Sequence, residues 1–158
     1  MLDKEDLNDY DGRVFFYCKD LGKITAKATS IRKPISKLAS HLEPGNVVNV
    51  RLIQKNAFQV ADALKTRSFQ KNSDTINALH LIKELSAEGE MDLELWDLLG
   101  GESINGEAVL GALGFDREFA SCVLCGAQSP KHFLLKELDY YCSGCFLRAG
   151  RPASFILK

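Results

Sequence analysis

The chain has 158 residues, 46% of them apolar and 26% charged, and its formal net charge is −1. A chain this long makes about one domain of roughly 100–200 residues and can bury ~70% of its unfolded surface, so a packed core is expected. Disordered, collagen-like and low-complexity classes are excluded, and no apolar run approaches the ~18 residues of a membrane span. The start, Met1 to Asp11, is polar and acidic rather than a secretory leader, so a cytoplasmic protein with no membrane partner is expected.

The charge is segregated along the chain. Residues 1–10 carry one Lys and four acids, whereas residues 11–71 carry twelve Lys/Arg and four Asp/Glu. Residues 72–118 carry two basic and eleven acidic residues, and residues 119–158 five basic and two acidic. A basic stretch of this size suits a polyanion. It suits equally a solvated face that makes internal contacts with the acidic stretch.

The first elements are strands. Arg13–Lys19 is rich in β-formers, Asp20-Leu21-Gly22 reads as a turn, and Lys23–Thr29 alternates polar with apolar residues, which predicts a hairpin. A basic loop follows from Ile31 to Lys37, and Pro44-Gly45 breaks the chain. Val47–Lys55 and Ala57–Lys65 are two further strands around a turn at Asn56. Short strands at this spacing predict a small barrel or sandwich. Beyond Arg67 the period becomes helical. Ser73 is the predicted N-cap of a helix with Ile76, Leu79 and Ile82 on one stripe. A second helix spans Met91–Leu99 before Gly100-Gly101, and a third spans about Ile104–Leu113, where Gly106 and Gly111 can permit close packing.

Five cysteines divide into one and four. Cys18 lies in an apolar run and reads as core. Cys122, Cys125, Cys142 and Cys145 form C-x2-C-x16-C-x2-C, the spacing of a four-thiolate zinc site. Gly126 and Gly144 offer the tight turns that bring paired sulfurs to one ion. Four Cys leave no open coordination position, so structural rather than catalytic Zn²⁺ is predicted. His132, in the spacer, reads as a surface or packing residue. The H-E-x-x-H, zinc-deaminase, P-loop, G-x-S-x-G and G-x-G-x-x-G patterns are absent, so no enzyme is expected.

On the first full strand Arg13, Phe15, Tyr17 and Lys19 share one face. Aromatics between cations can stack bases of single-stranded nucleic acid, or the same rings can pack beneath the helices. The loop Arg32-Lys33-Pro34-Ile35-Ser36-Lys37 holds three cations and a hydroxyl suited to phosphate contacts. Arg51 and Lys55 join this set from the charge pattern.

The motifs G-K-I-T-A-K-A at 22–28, R-K-P-I-S-K-L at 32–38, L-E-P-G at 42–45, L-G-F at 113–115 and C-V-L-C-G at 122–126 follow one another in order. Together they resemble the RecO family of recombination mediators. The resemblance implies an α+β chain with an N-terminal OB-fold β-barrel over 1–70, a helical segment over 71–118 and a four-cysteine zinc module with a short tail over 119–158. It implies a short member, reduced at its C-terminal side. It further implies a DNA repair protein that binds single- and double-stranded DNA, anneals single strands and helps load recombinase on gapped DNA. Its implied partners are a RecR-like protein and the single-strand DNA-binding protein, and its implied location is the nucleoid. Carried over to this chain, the DNA-contacting positions are Lys23, Lys27, Arg32, Lys33 and Lys37. The alternative is another OB-fold and zinc-ribbon module acting on RNA or in transcription.

Overall fold

Five strands between residues 3 and 68 form one sheet in the computed structural model, which describes residues 1–150 and the short strand Phe155–Ile156. They are β1 (Asp3–Asp6), β2 (Gly12–Cys18), β3 (Gly22–Ala28), β4 (Asn46–Gln54) and β5 (Phe58–Ser68). Their order is β1-β2-β3-β5-β4. The β3/β5 junction is parallel and the other three are antiparallel. Among the described residues no ladder joins β1 to β4, so the sheet is not closed. Four of these strands lie within a residue or three of their predicted limits. β1, with the sequence Asp-Lys-Glu-Asp, has no apolar alternation to announce it.

Alternation on β2 and β3 divides the molecule into two cores. Val14, Phe16, Ile24, Ala26 and Ala28 point inward, where they meet Val60, Ala63, Ile31 and Leu42. Tyr17 points outward and is buried with Leu79, Ile82, Leu95, Val109 and Leu110 of the helical layer. Phe15 packs against this second cluster as well. The two aromatics on the outer strand face therefore anchor helices and are not an open stacking platform. An exposed aromatic face would forgo the ~25 cal/mol per Å² that burial contributes, and the amphipathic helices supply the cover.

The helices are α1 (Ser73–Leu85), α2 (Leu93–Gly100), α3 (Gly106–Ala112) and α4 (Ser143–Arg148). Asn72, not Ser73, caps α1, its side chain accepting from the Thr75 N–H at 2.8 Å. Asp92 and Asn105 cap α2 and α3 in the same way. Gly106 lets α3 approach α1: a Cβ there would lie 3.3 Å from Leu81, whereas one at Gly111 would meet nothing within 4 Å. Gly22 is tighter still. Its φ is +59°, and a Cβ would fall 1.8 Å from the Glu90 carbonyl, so the β2–β3 turn and the α1–α2 linker can touch only through glycine. That linker also covers the free edge of β3, with Gly89 N–H donating to the Lys23 carbonyl and Thr25 N–H to Glu88.

The last module is a hairpin of β6 (His132–Leu134) and β7 (Asp139–Tyr141), followed by α4, with β8 (Phe155–Ile156) pairing to β6. Phe133 and Tyr140 project from it into the helical core, and the Tyr140 hydroxyl donates to the Phe115 carbonyl at 2.5 Å. The fold is thus mixed α+β: a five-stranded sheet, a helical layer on its outer face, and a cysteine-bearing hairpin docked on the helices. Among the described residues no helix is long and apolar enough to cross a membrane.

Candidate metal centre and nucleic-acid surface

The four cysteines come from two local structures. Cys122 and Cys125 bracket a turn in which Gly126 N–H donates to the Cys122 carbonyl at 2.8 Å, with Gly126 at φ +70°. Cys142 and Cys145 lie at the start of α4, where Cys142 is the N-cap and its sulfur accepts from the Cys145 N–H at 3.4 Å. Gly144 sits in that first helical turn without a positive φ, so only Gly126 supplies the left-handed turn expected of both. All four sulfurs lie within 4.8 Å of one another, and Cys125 and Cys142 are 3.7 Å apart. This arrangement is compatible with one bound metal ion.

The surroundings pull two of the thiols in opposite directions. Desolvation pushes the Cys122 thiol up, but N–H donors of Cys142, Leu124 and Cys125 outweigh it and bring it down. The thiols of Cys125 and Cys142, together with burial, push Cys145 up. Four crowded thiols cannot all ionise alone, and a divalent cation removes that repulsion. Arg148 adds a donor to the Cys145 sulfur at 3.4 Å. His132 is not part of the cluster: its ring stacks on Phe146 at 4.3 Å and its Nε2 lies 3.2 Å from the Ser143 hydroxyl. Cys18 is half-buried against the sheet core, and burial pushes its thiol up.

The seven cations proposed for DNA separate into distinct environments. Lys23 lies at the helix-covered end of β3, and its Nζ donates to the Lys83 carbonyl in the last turn of α1 at 2.8 Å. Lys27 pairs with Asp11 at 2.7 Å. Lys27, the Ser30 N–H and Asn8 hold the Asp11 carboxyl down at about 2. Arg32 meets Asp6 at 3.1 Å and donates to the Asn8 carbonyl at 2.8 Å. Lys33 lies 5.1 Å from the centre of the Tyr10 ring. Lys37 is exposed farther along the same loop. Arg51 is exposed on β4, and Lys55 is exposed at the β4–β5 turn. Among the described residues Lys33, Lys37, Arg51 and Lys55 form no ion pair with an acid.

The structure gathers Lys27, Arg32, Lys33 and Lys37 around two touching loops, residues 7–11 and 29–45. The β4–β5 turn adjoins them, because Ala26 and Lys27 pair with Phe58 and Gln59. Two further cations, Arg67 and Lys83, are committed internally. Arg67 donates to the carbonyls of Leu99, Gly100 and Gly101 at the end of α2 and lies over the Phe69 ring. Lys83 reverses the expected polarity: a cation from the acidic stretch pairs with Asp3 and Glu5 of β1 and covers Phe15. Burial opposes its charge, but the two carboxylates raise it to about 12. The charge pattern missed Tyr10, whose one signal is an aromatic ring inside the polar run Asp-Leu-Asn-Asp-Tyr-Asp-Gly. No protein-family model matches the chain, and no curated protein matches it.

Proposed function

We propose that the chain is a non-enzymatic, DNA-binding accessory protein of recombination repair, of the RecO type, held together at its C-terminal side by a structural zinc ion. It anneals single strands and helps load recombinase on gapped DNA, with a RecR-like protein and the single-strand DNA-binding protein as partners. The observation that carries this reading is the gathering of exposed cations, Lys33, Lys37 and Lys55, with Tyr10 at one end of the sheet. Phosphates need cations that are reachable and not locked into the fold, and this end supplies them.

The sheet supports an OB-type barrel. Its order and its one parallel junction suit that topology, whose loops between strands 1–2 and 4–5 bind oligonucleotides. Backbone hydrogen bonds from Met1 to Asn46 and from Gly45 to Met1 draw the β1 and β4 edges together at one end. Zinc suits the cysteines on geometry. Four sulfurs at ~2.3 Å from a tetrahedral ion lie ~3.8 Å apart, close to the Cys125–Cys142 separation. The ion supplies cross-linking and no reaction step, since all four positions are taken by Cys122, Cys125, Cys142 and Cys145.

The test is fluorescence anisotropy with single-stranded DNA and RNA of one sequence, together with strand annealing of complementary DNA. Expected are binding and annealing of DNA. In the variant carrying Lys33→Ala, Lys37→Ala, Arg51→Ala and Lys55→Ala, affinity falls at least tenfold. Tighter binding to RNA without annealing would favour the RNA or transcription alternative, and full affinity in the quadruple variant would move the surface elsewhere.

A further inference from the structure

Ile35 is 88% exposed, the most exposed large apolar side chain among the described residues. Single exposed apolar residues are ordinary on protein surfaces. What sets this one apart is its mounting and its company. Lys33-Pro34-Ile35-Ser36 is a β-turn closed by the Ser36 N–H donating to the Lys33 carbonyl at 2.9 Å. Pro34 sits where its fixed φ favours such a turn, which places Ile35 at the tip. Ile31 on one side and Leu38 on the other pack into the sheet core, so both feet of the loop are anchored. Arg32 N–H donates to the Tyr10 carbonyl at 3.0 Å, and the Arg32 guanidinium is tied to Asp6 and Asn8. The tip is therefore preorganised. Around it stand Lys33, Lys37 and the ring of Tyr10, itself 57% exposed.

We infer that Ile35 is a wedge that enters between adjacent bases, with Tyr10 offering its ring to a neighbouring base and Lys33 and Lys37 meeting the flanking phosphates. This deepens the DNA-binding reading above and rests on it. Proteins that unstack bases insert a rigid Ile, Leu, Met, Phe or Pro flanked by cations, and the chain places Pro34-Ile35 there. An aromatic ring beside the wedge can stack on a base whatever its identity. A membrane is the other polyanionic surface that accepts cations around an apolar tip. One isoleucine inserts too few methylenes to hold a lipid surface, where even a whole acyl chain binds only marginally, whereas one side chain fills a single base step.

The test uses the full chain and a single-stranded oligonucleotide with one 2-aminopurine between adenines. Unstacking raises the 2-aminopurine fluorescence. Expected for the unaltered protein is binding with a fluorescence rise. Ile35→Ser, at an exposed position that leaves the fold intact, binds about tenfold more weakly with the same salt dependence and gives no rise. Ile35→Leu restores both, and Tyr10→Phe behaves as the unaltered chain while Tyr10→Ala weakens binding. Binding with no rise, or a rise that persists in Ile35→Ser, overturns the wedge and leaves electrostatic DNA binding standing. Absence of any DNA binding overturns both. Tight binding to phosphatidylglycerol vesicles that Ile35→Ser abolishes, without base unstacking, assigns the tip to membranes and also overturns the wedge.

Discussion

The two C-x2-C pairs converge on one point, whereas seven cations chosen from the charge pattern end in different environments. The difference lies in the range of the interactions. A turn of four residues places two sulfurs together wherever it occurs, and thiolate ligation is short and directional. A lysine's charge can be answered by any carboxylate, helix end or ring that tertiary packing brings near. Lys23 is answered by the end of α1, Lys27 by Asp11 and Arg32 by Asp6. Net charge along a segment therefore overstates the charge left for a partner, and only the three-dimensional pairing says which cations remain.

The contrast is broken most severely at the metal. Structural zinc in small modules contributes roughly 10–16 kcal/mol of apparent binding energy to folding. Cys122→Ser or Cys145→Ser is expected to remove zinc, measured by atomic spectroscopy on the purified chain, and to unfold the β6–β7 hairpin and α4. Because Phe133 and Tyr140 belong to the helical core, the loss spreads to α2 and α3. The β1–β5 sheet, with its own core, retains its amide protection. A purified chain without zinc that keeps the hairpin folded would remove the metal from the argument.

Phe133→Ala isolates the coupling without touching a ligand. The ring is fully buried and packs edge-on against Phe115 at 5.3 Å and against Tyr140 at 4.9 Å. Its removal is expected to cost about 3–5 kcal/mol. Thermal melts should show this with zinc content unchanged. A loss under about 1 kcal/mol would mean that the hairpin is not docked on the helices.

Salt dependence sharpens the other half of the comparison. If the four cations held neither by an acid nor by a helix end, Lys33, Lys37, Arg51 and Lys55, meet phosphates, log K against log salt has a slope of about −2.8 on single strands, at roughly −0.7 per contact. If all seven were available, the slope would be about −4.9 by the same rule. The measurement is a titration of single-stranded DNA at several salt concentrations. A slope near the steeper value would show that Lys23, Lys27 and Arg32 release their internal partners on binding.

Element types were legible because β-branched alternation, turn residues and helical stripes are local signals. β1 was not, since four polar residues form a strand only through pairing with Gly12–Phe15 and through the hold of Lys83 on Asp3 and Glu5. The N-cap of α1 moved by one because Asn72 and Ser73 are both good caps and backbone geometry chooses. The convergence of the four cysteines was readable from spacing, whereas the left-handed turn expected at Gly144 was not found. On the basic surface, the loop 32–37 was readable, but the fate of Lys23, Phe15 and Tyr17 depended on which sheet face the helices cover. That information is spread over two cores and no local window holds it.

Lys23 gives the smallest expected effect and the most direct comparison with Lys33 and Lys37. Its Nζ satisfies a carbonyl in the last turn of α1, where unpaired acceptors and the negative helix end favour a cation. Lys23→Ala is therefore expected to lower stability by about 0.5–1 kcal/mol in a denaturant melt. DNA affinity should stay within about twofold, because a cation already committed to the helix end offers few contacts to phosphate. Lys33→Ala with Lys37→Ala should do the reverse, leaving the melt unchanged to within about 0.5 kcal/mol, as exposed changes do. Their DNA affinity should fall several-fold at low salt, less so as salt rises. If Lys23→Ala instead weakened DNA binding as much as the loop pair, the helix-covered end of β3 would have to open on binding, and the division between structural and partner-facing cations would be lost.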